Sequence, residues 1–259
     1  MTMFERLQKP FLTVETGEAY GPVRLHFDIY QQPELAALLN SLTCCEKTTA
    51  PNTWNWHWCG ECETLRFESM DSYKKPTARP VRLGTLAIRD DKLFITLPSF
   101  KRACLAVPFF HKQIGANIAQ LNKADFINKV FGLDERLPHG FAELFKDDEL
   151  EHIVRSRIEH YETMQAQVEH AATVEEALAV LAKYSQSEAN KRLPYTERYD
   201  FRQHQSDDPE VVFLGFYIFL RSRELIAIRR WYGETGTNVA AEIAEEAIHD
   251  VFGNVDMDS

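Results

Sequence analysis

Val23, Leu25, Phe27 and Ile29 alternate with Arg24, His26, Asp28 and Tyr30, and a period of two puts the apolar set on one face of an extended chain. A half-buried strand is predicted over residues 22–30. Pro33 and Glu34 open a run of Leu35, Ala36, Leu38, Leu39 and Leu42 spaced for one helix face, with proline in the first turn, where its missing N–H costs little. A helix is predicted over 33–43. Residues 53–59 read TWNWHWC, with Trp54, Trp56 and Trp58 on one face and Asn55, His57 and Cys59 on the other. Residues 64–68 are the expected hairpin partner. Residues 81–89 and 92–97 flank Asp90-Asp91, which predicts a second hairpin. Ser99 caps a helix bearing Phe100, Cys104, Val107 and Phe110, with Pro108 disturbing its interior. Strand, helix, four strands, helix is the order of a mainly antiparallel sheet with helices on one face, an α+β fold.

From about residue 116 the pattern turns helical. Asp147-Asp148 precedes a segment, 149–171, whose Leu150, Ile153, Val154, Ile158, Tyr161 and Val168 recur at helical spacing. Thr173 opens T-V-E-E, a capping box completed by Glu176. Residues 186–208 are polar and read as a surface loop. Asp208-Pro209-Glu210 starts and Gly233 stops a buried helix over 209–232, with a β-hairpin the alternative offered by its β-branched and aromatic run, and a last helix is predicted over 239–252. The chain therefore divides into an α+β sheet unit, 1–115, and an acidic helical unit, 116–259, which can also pack as one domain.

Charge sharpens that division. The net charge is −10; residues 1–115 carry 14 Lys/Arg and 12 Asp/Glu, a net of +2, which leaves 15 and 27, a net of −12, for residues 116–259. The acidic half repels nucleic acid and anionic membranes. Hydrophobic residues at 44% and charged residues at 26% are the composition of a folded globular protein. The longest apolar run, 211–220, is ten residues, about half the roughly 20 that a spanning helix needs, so no membrane partner is expected. Glu5, Lys9 and Pro10 interrupt the N-terminus where a secretion signal would be apolar. A cytoplasmic location follows, with the five cysteines as thiols or metal ligands.

Cys44-Cys45 and Cys59-Gly60-Glu61-Cys62 are the densest chemistry in the chain. Zinc takes four N or S ligands in a tetrahedron, and two residues between cysteines let a tight turn aim both sulfurs at one ion. Cys59, Cys62 and Cys45, with Cys44 or His57 as the fourth, form a complete candidate set, and zinc is the one cofactor the chain suggests. Buried apolar thiols are the alternative. Residues 58–62, WCGEC, also resemble the WCGxC segment of thioredoxins. That resemblance covers five residues and implies an activated thiolate at Cys59 and a resolving thiol at Cys62. Glu61 stands where the family has proline.

Trp54, Trp56 and Trp58 are either the core face of their strand or a stacking platform for single-stranded nucleic acid, with Lys74, Lys75 and Arg79 neutralising phosphates. Residues 70–115 carry nine Lys/Arg against three Asp/Glu, a net of +6. Glu149 and His152 have E-x-x-H spacing, but no second copy completes a di-iron set. The P-loop, the Rossmann glycine pattern, G-x-S-x-G and H-E-x-x-H are absent from the sequence. The expectation is a non-catalytic adaptor or assembly factor whose partner is another protein. Single-stranded nucleic-acid binding and thiol-redox catalysis at the CGEC pair are the alternatives.

Overall fold

The computed structural model describes residues 9–67, 80–137, 193–203, 206 and 208–234, with isolated positions between 144 and 183 and Ile243. In chain order the elements are β1 (Val23–Ile29), α1 (Gln32–Ser41), β2 (Cys45–Lys47), β3 (Thr53–His57) and a 3₁₀ turn (Gly60–Cys62). There follow β4 (Arg82–Arg89), β5 (Lys92–Leu97), α2 (Phe100–Ile114), β6 (Ala119–Ile127), β7 (Thr196–Asp200), a second 3₁₀ turn (Phe201–Gln203) and α3 (Pro209–Trp231). The strands form one seven-stranded sheet in the order β2-β3-β4-β5-β1-β6-β7, and every neighbouring pair is antiparallel. The α+β expectation holds.

The alternation in β1 decides which face becomes the core. Val23, Leu25 and Phe27 pair with Leu97, Ile95 and Leu93 of β5, and all six are buried on the face that α2 covers. Ser99 caps α2 by accepting from the Arg102 backbone N–H, and the helix runs through Pro108 to Gly115. Two buried phenylalanines, Phe100 and Phe110, dock its inner face, so packing on the sheet outweighs the lost hydrogen bond. Asp208 accepts from the Glu210 N–H, Pro209 fills the first turn, and Gly233 leaves the helix at φ 78°. These are the expected ends of α3. Lys101 of α2 donates to the Tyr217 hydroxyl at 3.1 Å, and Arg223 of α3 grips the buried Glu197 of β7 at 2.9 and 3.0 Å.

Three expectations are corrected. Residues 64–67 form no strand; β3 pairs instead with β2 on one side and β4 on the other, because the 3₁₀ turn at Gly60–Cys62 carries the chain off the sheet. Residues after 116 are not uniformly helical, since 119–127 is β6. The polar stretch 186–208 is not simply a surface loop, since its residues 196–199 are buried strand. The sheet therefore takes strands from both sides of residue 115, and that position is no boundary of the sheet. The helix expected over 149–171 lies largely outside the described residues, where positions 155, 159, 163, 164 and 166–168 are helical; the helix over 239–252 lies outside them apart from Ile243. The Thr173 cap is present, its hydroxyl accepting from the Glu176 N–H at 3.2 Å.

Candidate functional site

The cysteine corner is built where β3 ends. After His57 the Trp58 N–H bonds the Val81 carbonyl at 2.8 Å, and the chain turns through Gly60 at φ 54°. A Cβ on Gly60 would lie 2.8 Å from that of Thr43, so only glycine lets this turn sit directly on residues 43–44. The Glu61 carboxylate then accepts from the backbone N–H groups of Thr43 and Cys44 at 2.9 and 3.0 Å. Burial opposes its charge, but these hydrogen bonds outweigh it and hold Glu61 at about 2. An acidic residue in place of the thioredoxin proline is thus a structural latch.

The Cys62 thiol donates to the carbonyls of His57 and Cys59 at 2.9 and 3.2 Å. Its sulfur also meets Cys44, which in turn meets Cys45. The Cys45 contact and burial push Cys44 up; the Cys44 contact and burial push Cys62 up. Both are therefore neutral thiols near pH 7, the opposite of an activated nucleophile. Cys59 is half-buried, with its sulfur 3.8 Å from the Thr43 carbonyl. Of the zinc set, Cys44 touches Cys45 on one side and Cys62 on the other, whereas His57 Nε2 faces Glu46 Oε2 at 2.9 Å. Among the described residues no three His, Cys, Asp or Glu side chains converge in a metal-holding arrangement.

The tryptophans face the core. Trp54, Trp56 and Trp58 are 1%, 0% and 4% exposed. Trp56 stacks on Phe109 at 5.5 Å and meets Phe110 edge-on at 5.0 Å, and Trp58 meets Phe67 at 5.1 Å. The Trp54 indole donates to Asn40 of α1 at 2.9 Å. Rings buried to this degree present no face to a base. Lys74, Lys75 and Arg79 lie outside the described residues.

The second face of the sheet carries a charged cluster that sequence periodicity did not single out. The register aligns Arg24 of β1, Asp125 of β6 and Arg198 of β7 in one row. Asp125 is buried and receives a bidentate grip from Arg198, Nε–Oδ1 2.6 Å and Nη2–Oδ2 3.0 Å. His26 Nε2 lies 2.9 Å from the same carboxylate, its ring edge-on to Phe94 at 5.1 Å. Burial opposes ionisation of Asp125, but His26 and Arg198 outweigh it and hold the carboxyl at about 2. Burial lowers His26 below its ordinary 6.5 against the pull of Asp125. The one available signal was that buried strand positions bearing charge require partners, and those partners are remote in sequence.

Both shifts act in acid. A depressed carboxyl stabilises above its unfolded value and loses that stability as pH falls through the folded one; a histidine held neutral stabilises above 6.5 and loses it below, because the unfolded chain takes the proton first. Unfolding free energy should therefore fall gradually below about pH 6.5 and by a further amount on the order of 2 kcal/mol between about pH 4 and 2. Urea titrations across this range test it, and His26→Gln should flatten the upper limb.

Compared with family models, curated proteins and solved structures, the chain matches none of them. Among the described residues no helix is long and apolar enough to cross a membrane.

Proposed function

We propose that the chain is a non-catalytic cytoplasmic adaptor or assembly factor whose partner is another protein. One observation carries this reading: among the described residues, the groups with the most chemistry are committed to internal contacts. The Cys62 thiol donates to two carbonyls, His57 faces Glu46, and Asp125 holds both Arg198 and His26. A nucleophile or base in that state has to break those bonds before it can act.

Native thiol titration tests this. Cys59 should react readily with an aromatic disulfide reagent, and Cys44, Cys45, Cys62 and Cys104 only on unfolding. Cross-linking of the tagged chain in cells, followed by native mass spectrometry, should return a complex of defined stoichiometry with a protein. Two or more rapidly reacting thiols, together with turnover of a disulfide substrate, would replace the adaptor reading with the redox one.

A further inference from the structure

Cys44 and Cys62 stand eighteen positions apart in the chain, yet both are fully buried and their thiols are in contact. Cys44 immediately precedes β2, and Cys62 closes the 3₁₀ turn after β3. Backbone contacts hold the two places together. The His57 N–H bonds the Cys44 carbonyl at 2.8 Å, and the Glu61 carboxylate spans the N–H groups of Thr43 and Cys44. A Cβ on Gly60 would stand 3.6 Å from the Cys44 nitrogen. Both cysteine backbones therefore sit on one scaffold, and joining their sulfurs takes side-chain rotation with little backbone movement.

Geometry selects this pair among the four thiols of the corner. Cys44 also touches Cys45, but consecutive Cα atoms are about 3.8 Å apart, short of the roughly 4.4–6.8 Å that a disulfide spans without strain. The Cys59 sulfur lies 3.8 Å from the Thr43 carbonyl in a half-buried position, whereas the Cys62 sulfur is turned inward, to the carbonyls of His57 and Cys59 and to Cys44.

We propose that Cys44 and Cys62 form a reversible disulfide that staples this edge of the sheet, with a peroxide as the oxidant. One thiol is oxidised to a sulfenic acid, and the other then displaces water from it. With hydrogen peroxide, two S–H bonds and one O–O bond break, one S–S and two O–H bonds form, and two waters leave; the sulfurs give up the two electrons that the peroxide takes. Burial and mutual contact keep both thiols neutral, which makes the step slow, so the staple answers sustained oxidation rather than a brief pulse.

β2 is the element secured. It is three residues long, ends the sheet and pairs, among the described residues, with β3 alone, and such short edges open at low cost. Linking Cys44 to Cys62 closes the seventeen residues between them into a loop and removes entropy from the unfolded chain. The oxidised form gives up the two hydrogen bonds that the Cys62 thiol donates. These are weak, and the loop effect is the larger. The inference stands apart from the adaptor reading, which cross-linking to a partner decides independently.

Full-length protein treated with hydrogen peroxide should lose about 2 Da, recovered with dithiothreitol. Non-reducing tryptic mapping should join peptide 25–47 to peptide 48–66 through Cys44 and Cys62, and the oxidised protein should melt about 4–10 °C above the reduced one. Cys45→Ser and Cys59→Ser should keep both the link and the shift, and Cys44→Ser and Cys62→Ser should lose both. The mapping of the unsubstituted chain decides the pairing even where a serine variant folds poorly. The proposal is overturned by a Cys59–Cys62 or Cys44–Cys45 link in place of this one, by five free thiols after prolonged oxidation, or by an oxidised form that melts no higher than the reduced one.

Discussion

Replacing Arg102 with methionine should lower the unfolding free energy by about 3–5 kcal/mol, the loss expected when one partner of a buried ion pair is removed. Arg102 and Glu18 are 1% and 0% exposed, with Nε–Oε1 at 3.1 Å. The register of β3 on β4 slips between Trp56 and His57, making Leu83 an extra residue. Arg102 covers the carbonyls this bulge leaves over, donating to Arg82 and Leu83 at 2.9 and 3.1 Å, and to the Thr16 hydroxyl at 2.8 Å. One guanidinium thus joins the first turn of α2, the bulge in β4 and the N-terminal turn around Glu18. Urea unfolding of Arg102→Met measures the loss. Adding Glu18→Gln should recover part of it, because the stranded carboxylate is then gone. A loss below about 1 kcal/mol would mean that the surrounding packing holds these elements without the ion pair.

Trp56→Ala should cost about 3–5 kcal/mol, the range for truncating a large buried aromatic ring. The cavity would open between β3 and α2, where the ring lies against Phe109 and Phe110, and Trp56→Phe should recover a substantial share. The same experiment separates the two readings of the tryptophan strand. A surface stacking residue would lose nucleic-acid affinity and leave stability within about 0.5 kcal/mol, whereas a core residue lowers the melting transition with no ligand present. An unchanged transition would contradict the core placement.

Local signals carried the hairpin and the helix ends. The β4–β5 hairpin, the Ser99 cap and both ends of α3 follow from periodicities and capping residues contained within a few positions, and they form as the pattern requires. β6 was illegible because Asn122 is an extra residue opposite β1: the register passes from Lys123 opposite His26 to Leu121 opposite Phe27, which breaks the alternation. Asn122 then reaches Asp28 at 2.7 Å. β7 reads TERYD, and its Glu197 and Arg198 suggest water until Arg223 and Asp125 are placed beside them. The Asp125–Arg198 bond joins residues 73 apart, a separation that no window of sequence spans. The cysteine spacing was legible; which sulfurs meet and the state of the thiols were not, because both depend on where the turn at Gly60 carries Cys59 and Cys62 and on which carbonyls it brings within reach.

The sheet order has a consequence for synthesis. β6 is complete for pairing with β1 once residue 127 has emerged, whereas among the described residues its outer edge is closed by β7, which begins at Thr196. A nascent chain therefore carries an unpaired strand edge, with Asp125 lacking the arginine that grips it, for the time taken to add nearly seventy residues. At about 5–20 residues per second that is several seconds or more of exposure, and open strand edges are the surfaces on which chains pair wrongly. An inward-pointing charge is one of the devices that make an open edge a poor template, and on β6 that charge is Asp125, buried and matched by Arg198 once β7 is in place.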